Sequence, residues 1–355
     1  MPCFGDIFFT MAQISVHKLK SERARSYLRS RLLLLPGGAA LPGTRTMMAE
    51  CGVGRKMLEQ AILEAEADGL LVRRSRSAFR RTEPCAGERV DLLIYANNSE
   101  GQLRPVGTAG IPGAIPRTIL RLQDLARGHG MTSRLYTSFR EIPVLPVPLF
   151  CLGVTDPETL RKADANWPRT VTISGRQGKL WVKPLYEDAT RAGLEHLAAL
   201  GHKAVGYLYF RHPDPRMRDR HLFEYYRFMA EHGFKVEPCY TVPYPDEAAV
   251  ASGIREMFAC ARPPTAVFAQ TVWLPTVYRV LKELKLNIPW QVSVLGLGDT
   301  EFVERLHPFP AFVNESSKLM AEKAWELMFD SAVTEGVVTP PLDIFEGASL
   351  RRYRG

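Results

Sequence analysis

Hydrophobic residues recur along this chain with two different periods, and the change comes near residue 90. In front of it the spacing is helical. Over residues 18–35, Ala24, Tyr27, Leu28, Leu32 and Leu35 fall on one stripe with Lys and Arg between them, which predicts an amphipathic helix. Pro36-Gly37-Gly38 ends it. Residues 41–62 then predict two short helices around a tight turn. Thr44 is placed as the N-cap of the first, because its hydroxyl can accept a hydrogen bond from a free first-turn amide. Gly52 suits the turn, since glycine reaches positive φ without a Cβ clash. Val53, Met57, Leu58, Ala61 and Ile62 give the second helix an apolar face. Gly54, Arg55, Lys56, Glu59 and Gln60 then face the other way. Gly69 is expected to close that helix, and residues 69–81 alternate like a hairpin with Ser75-Arg76-Ser77 at the tip.

Behind residue 90 the texture changes. Short apolar runs at 90–96, 133–138, 149–154, 169–174, 204–210, 265–270 and 292–297 alternate with helix-length amphipathic stretches. The clearest helices are 115–128, 187–200, 217–232, 246–261, 273–285 and 317–330. Strands alternating with helices predict an α/β fold built on parallel sheet. One stretch breaks the pattern. A parallel crossover takes about a dozen residues, usually a helix. Only ten residues separate Ser138 from Leu149, and Pro143, Pro146 and Pro148 forbid a helix there. An abbreviated or irregular first half of the sheet is expected.

The 355 residues exceed one ordinary domain, and their composition, 46% hydrophobic and 24% charged, is that of a globular protein with a sizeable core. The expected organisation is a first domain over 1–82, a linker over 83–89 rich in Pro, Gly and mixed charge, and a second domain over 90–355. Charge sharpens this division. Residues 1–82 hold 14 Lys+Arg against 7 Asp+Glu, so nearly all of the net +8 sits in front. Such an excess points to a polyanionic partner. The six cysteines form no C-x-x-C, so neither a zinc site nor a redox pair is indicated, and no cofactor is implied. No apolar run reaches the roughly 18 residues of a membrane span. The start lacks a basic segment followed by a long apolar one, so it does not read as a signal peptide. A cytoplasmic location follows as the expectation, with Met1 or Met11 as the initiator.

Two short helices whose second presents polar residues from its N-terminal end have the layout of a helix-turn-helix, which lays that helix in the DNA major groove. Residues 41–62 resemble the GntR-type bacterial regulators, whose motif runs L-P-S-E-R-E-L-A-x-x-L-G-V-S-R-x-T-V-R-x-A-L. Leu41, Pro42, Arg45, Gly52, Val53, Arg55 and Ala61 match without a gap, whereas Gly43, Thr44, Gly54 and Glu59 depart from it. Cys51 falls where the family has a core leucine and is expected as a buried, reduced thiol. The resemblance implies a winged helix-turn-helix over 1–82, the hairpin being the wing. Arg55 is assigned to base or phosphate at the start of the recognition helix, Lys56 to phosphate, and Arg45 and Thr44 to the backbone beside it. Arg76 at the wing tip is suited to a narrow, electronegative minor groove. Glu59 stands where the family has Arg. A carboxylate repels phosphate but can accept from cytosine N4, so an operator unlike the family's common one is expected.

The second half carries another resemblance. Residues 196–210, 262–270, 286–299, 307–313 and 319–329 are similar to successive motifs of the LacI/GalR-type sensing domain, itself like periplasmic sugar-binding proteins. The fold implied is two α/β lobes with parallel sheets, joined by crossing strands around an effector cleft. In open parallel sheets ligands sit beyond the carboxyl ends of the strands. The family's cleft Asn-Asp is here Thr271-Val272, its Arg falls on His221, its box Asp falls on Leu185, and its G-F-D-D becomes Gly296-Leu297-Gly298-Asp299. Losing most of these partners, with Asp299 keeping one carboxylate, argues against an ordinary free sugar, because an unpaired buried polar group costs about 1–3 kcal/mol. Tyr95, Asn97, Arg220, Trp273 and Asp299 are the candidates for the altered pocket. Trp273 can stack on a ring or simply pack.

Together these readings imply a regulator, as repressor or activator, that binds a roughly palindromic double-stranded operator as a homodimer and senses a small molecule, a carbohydrate or derivative among them. Its two recognition helices would sit roughly 34 Å apart on the DNA. A transporter's solute-binding protein lacks a reason for the basic front domain. An aminotransferase needs a Schiff-base lysine in a phosphate cradle, and no G-x-S-x-G, P-loop or H-E-x-x-H is present. A regulator whose second domain only dimerises is the other open reading.

Overall fold

The computed structural model describes residues 21, 24–25, 27–29, 31–32, 35, 39–67, 70–73, 79–81, 90–97, 114–209, 220–243, 246–298, 303 and 306–353. The described residues divide into two compact units. One comprises Met1–Leu152 with Ala165–Arg169, the other Gly153–Asp164 with Thr170–Gly355. The wing tip with Arg76, the cap at Gly69, the linker 83–89 and Asp299 lie outside the described residues.

The first unit opens with helical residues between 21 and 32, called α1. Its stripe is as the spacing requires: Ala24, Tyr27, Leu28 and Leu32 are buried. Helices α2 (Thr44–Cys51) and α3 (Arg55–Ala67) follow, then strands β1 (Leu71–Arg73) and β2 (Phe79–Arg81), paired antiparallel. Met47 and Cys51 from α2, and Leu58, Ala61, Ile62 and Ala65 from α3, close one apolar core with α1. Gly52 caps α2 at φ 63° and donates its N–H to Met48 O. The expected cap at Thr44 is corrected. Thr44 is the first helical residue, and extended Gly43 takes the N-cap position with no side-chain bond. Cys51 is fully buried and unbridged.

The same unit holds parallel strands β3 (Leu92–Ala96), β4 (Ser133–Tyr136) and β5 (Leu149–Leu152), with helix α4 (Ala114–Gly128) between β3 and β4. β3 lies in the middle and pairs with β4 on one side and β5 on the other. The proline-rich connection therefore does not join adjacent strands. It holds one 3-10 turn, Phe139–Glu141. Phe139 stacks edge-on against Tyr95 at 5.4 Å and Trp167 at 5.8 Å, so aromatic rings gather where a crossover helix is missing.

The second unit contains β6 (Thr170–Ile173), β7 (Leu180–Val182) and β13 (Gly336–Val338), which are parallel neighbours, and helix α5 (Pro157–Asn166). It also contains a six-stranded sheet of β8 (Val205–Tyr209), β9 (Thr241–Pro243), β10 (Ala266–Gln270), β11 (Ser293–Leu297), β12 (Ala311–Asn314) and β14 (Asp343–Phe345). Its spatial order is β14-β12-β11-β10-β8-β9, all parallel except β14. The central strands β10 and β11 are buried along almost their whole length, as a sheet covered on both faces demands. Helices α6 (Tyr186–Ala199), α7 (Arg220–Glu231), α8 (Glu247–Ala259) and α9 (Leu274–Glu283) connect these strands, and α10 (Ser317–Phe329) packs on β6 and β7. A Cβ on Gly193 of α6 would lie 2.4 Å from Phe268 Cζ of β10, so glycine lets helix and sheet meet closely. Three short connections pass between the two groups of strands: 183–185, 315–316 and 339–342.

Candidate nucleic-acid interface and effector pocket

The polar side of α3 is free of the core. Gly54, Arg55, Lys56, Glu59 and Gln60 are all exposed, and so is Arg45 on α2; Thr44 is half-buried. The helix begins with a basic pair because the apolar residues it must bury start at Leu58. Arg55 does not stand alone. Its Nε donates to Glu59 Oε1 at 2.6 Å, one turn along, and that carboxylate raises the already high guanidinium pKa. Arg45 and Lys56 form no ion pair among the described residues.

Much of the front domain's basic excess is spent internally. Arg31 grips Glu50 with Nη2 at 2.7 and 2.6 Å from the two oxygens, and the Tyr27 hydroxyl donates to the same carboxylate. Burial would raise the Glu50 carboxyl, but bonds from Tyr27 and Arg31 hold it below its usual range. Burial and the Glu50 bond push the Tyr27 phenol up to about 12. Arg25 pairs with Glu64, and Arg73 with Glu66 at 3.2 Å. These pairs fix α1 and the ribbon onto α2 and α3, and leave Arg45, Lys56 and Arg55 as the outward cations of the two helices.

The effector candidates fall in both units. Tyr95 is buried within the aromatic group of the first unit, and Asn97 follows β3, its N–H bonded to Leu152 O at 3.0 Å. In the second unit, Arg220 opens α7 with its Nε 2.6 Å from Glu187 Oε1 of α6, so its charge is neutralised within the chain. Trp273 is only 4% exposed in a 3-10 turn leading into α9, which favours its packing role over a stacking platform. Thr271, in place of the expected asparagine, is also buried, against Gly298.

What sequence spacing did not reveal is a cluster around the start of α6. Thr190 Oγ1 donates to Tyr186 O at 2.9 Å, lies 2.8 Å from His221 Nδ1 and 3.4 Å from the Tyr207 hydroxyl. The His221 and Tyr186 rings meet edge-on at 5.0 Å, and the Arg220 guanidinium lies over Tyr186 at 5.7 Å. Burial pushes His221 down to about 4, so its imidazole is neutral at pH 7. The neutral ring shares one hydrogen bond with Thr190 through Nδ1. Burial and the Glu315 charge also raise the Tyr186 phenol, which keeps it a neutral donor. These groups come from β8, α6 and α7, beside the connections 183–185 and 315–316. They form a neutral polar cluster whose groups bond to one another. Among the described residues no group of three His, Cys, Asp or Glu could hold a metal ion.

A family model for the periplasmic binding protein-like domain matches residues 194–350. That stretch is similar to periplasmic binding protein-like domains. The Escherichia coli transcriptional repressor ascG aligns at TM-score 0.62 and 14% identity, over 74% of this chain and 100% of its own. The lac repressor dimer bound to operator and the anti-inducer ONPF aligns at 0.58 and 17%, over 75% and 96%. The complex of the transcriptional regulator CelR with cellobiose aligns at 0.57 and 16%, over 87% and 100%. At such identities the likeness is one of fold: the two-lobed α/β architecture with two parallel sheets found in LacI-type transcriptional regulators. No curated protein matches the chain. The family match begins behind the front domain, which it leaves without a family. No helix among the described residues is long and apolar enough to cross a membrane.

Proposed function

We propose that this protein is a ligand-responsive transcriptional regulator of the cytoplasm, with a GntR-type winged helix over residues 1–82 as its DNA reader. The observation that carries the reading is the exposed, partly cationic face of α3 behind a glycine-capped turn, set in front of a periplasmic-binding-protein-like domain. Thr44, Arg45, Arg55, Lys56 and Glu59 would contact a double-stranded operator from α2 and α3, and Arg76 would reach it from the wing tip. A homodimer would present two such helices to a roughly palindromic site; the lac repressor is a dimer bound to operator. The effector would bind in the second domain and shift operator affinity by its different affinity for two states. CelR binds cellobiose. Here the Arg220–Glu187 pair and the neutral His221 favour a polar, uncharged ligand that is not recognised as an ordinary sugar is. Selection of binding sites from a genomic DNA library tests the reading. Enrichment of a short inverted repeat supports it, and recovery of no common sequence refutes it.

Two of the candidate residues favour one second reading. Arg220 is already paired and Trp273 is already packed, which also fits a domain that only dimerises. Thermal-shift screening against a metabolite library separates the two, because a bound ligand raises the melting temperature by mass action.

A further inference from the structure

The front domain's first helix is tied to the sheet domain behind it. Arg29 Nη1 of α1 lies 2.9 and 3.3 Å from the two oxygens of Asp124 on α4, and Arg127 of α4 reaches the same carboxylate at 3.5 Å. All three belong to the first compact unit. Beside the pair the two modules do not close on one another. A cavity of about 280 Å³ separates them, lined by Leu32 and Leu70 from the front and by Leu120, Gln123, Met131 and Ser133 from behind. None of these residues is on the exposed polar side of α3, so docking leaves that side clear.

We propose that the face of α4 and β4 is an intramolecular docking surface for α1, and that the Arg29–Asp124 pair is a latch which selects one pose of the front domain. Three features make it an openable latch and not a permanent seam. The pair is part-exposed, with 29% and 37% of its side chains accessible, where ion pairs are weak and screened by salt. The cavity forgoes the close packing that would make the contact irreversible. The charges are complementary, so the pose is specified by sign as well as by shape. In consequence the latched front domain has a fixed bearing on α4, and an unlatched one does not. The latch does not rest on the DNA-reading function.

Pulsed EPR on the full chain, without DNA, tests it. Spin labels are carried by non-canonical residues at exposed Ala49 on α2 and exposed Arg140. The wild-type chain gives one narrow distance. Asp124→Asn broadens it, with the latched population reduced about two- to fivefold against the open one. The exchange Arg29→Asp with Asp124→Arg narrows it again. An unchanged distribution in Asp124→Asn, or an exchanged pair as broad as the single variant, overturns the latch. Because no DNA is present, either result is independent of whether the front domain reads an operator.

Discussion

Arg55 and Glu59 form an ion pair at 2.6 Å on the exposed face of α3, where the recognition side chains of a helix-turn-helix stand. The free protein thus holds its foremost cation against its own carboxylate, and a phosphate or base must compete for that guanidinium. Glu59→Gln removes both the competitor and a repulsive charge. The variant should bind random duplex several-fold more tightly, with one more counterion released in the salt dependence. It should also lose discrimination wherever the carboxylate meets a cytosine. Fluorescence anisotropy over a salt series with specific and random duplexes measures both.

A buried carboxylate joins the two helices that frame the Thr190–His221 cluster. Glu224 is 0% exposed, takes Arg191 Nε at 2.6 Å and also pairs with Arg227. Arg191 reaches on to Glu231 at 2.8 Å. Breaking a buried pair costs about 3–5 kcal/mol when the surviving charge is stranded. Here both arginines keep Glu231 and a path to water, so Glu224→Ala should cost about 2 kcal/mol. Urea unfolding checks the figure. A loss below about 0.5 kcal/mol would mean the pair is incidental.

His221 gives the domain a pH dependence of known sign. Its folded pKa is about 4 against 6.5 in the open chain, because burial outweighs the favourable Glu187 charge, with Arg220 adding to the depression and a bond to Tyr186 O opposing it. The unfolded state therefore binds the extra proton first. This contribution to stability is complete above about pH 6.5 and falls as pH drops from there to about 4, by up to about 3 kcal/mol. In His221→Asn, which keeps a hydrogen-bonding group toward Thr190, the melting temperature should fall less between pH 7 and pH 5 than in the wild type. Equal slopes would contradict a neutral, buried imidazole.

The fold was readable wherever the hydrophobic period ran long enough. Each apolar run expected as a strand is one, because β3, β5, β10 and β11 are buried on both faces and leave unbroken apolar segments. The strands that escaped are short or half-exposed. β13 and β14 have three residues each and alternate partial with full exposure, so no period develops. α5 buries only Leu160 and Ala163, too few to mark a stripe. The Gly43 cap was hidden because threonine is the better capping residue in isolation. The site was less readable than the fold. Tyr186, Thr190, Tyr207 and His221 meet only through the packing of α6, β8 and α7, and no fixed spacing announces them. The Arg55–Glu59 pair, by contrast, sits at the four-residue spacing that always brings helical side chains together.

The central claim is that a cationic helix face at the front of this chain reads duplex DNA. It is tested most directly by titrating the purified full chain, wild type and Arg55→Ala, into its selected duplex and a scrambled one at several salt concentrations. The account predicts a steep loss of affinity with salt, a clear preference for the selected duplex, and a roughly 5- to 150-fold weaker, less selective Arg55→Ala. Equal binding to both duplexes with a flat salt response, or an Arg55→Ala indistinguishable from wild type, would contradict it.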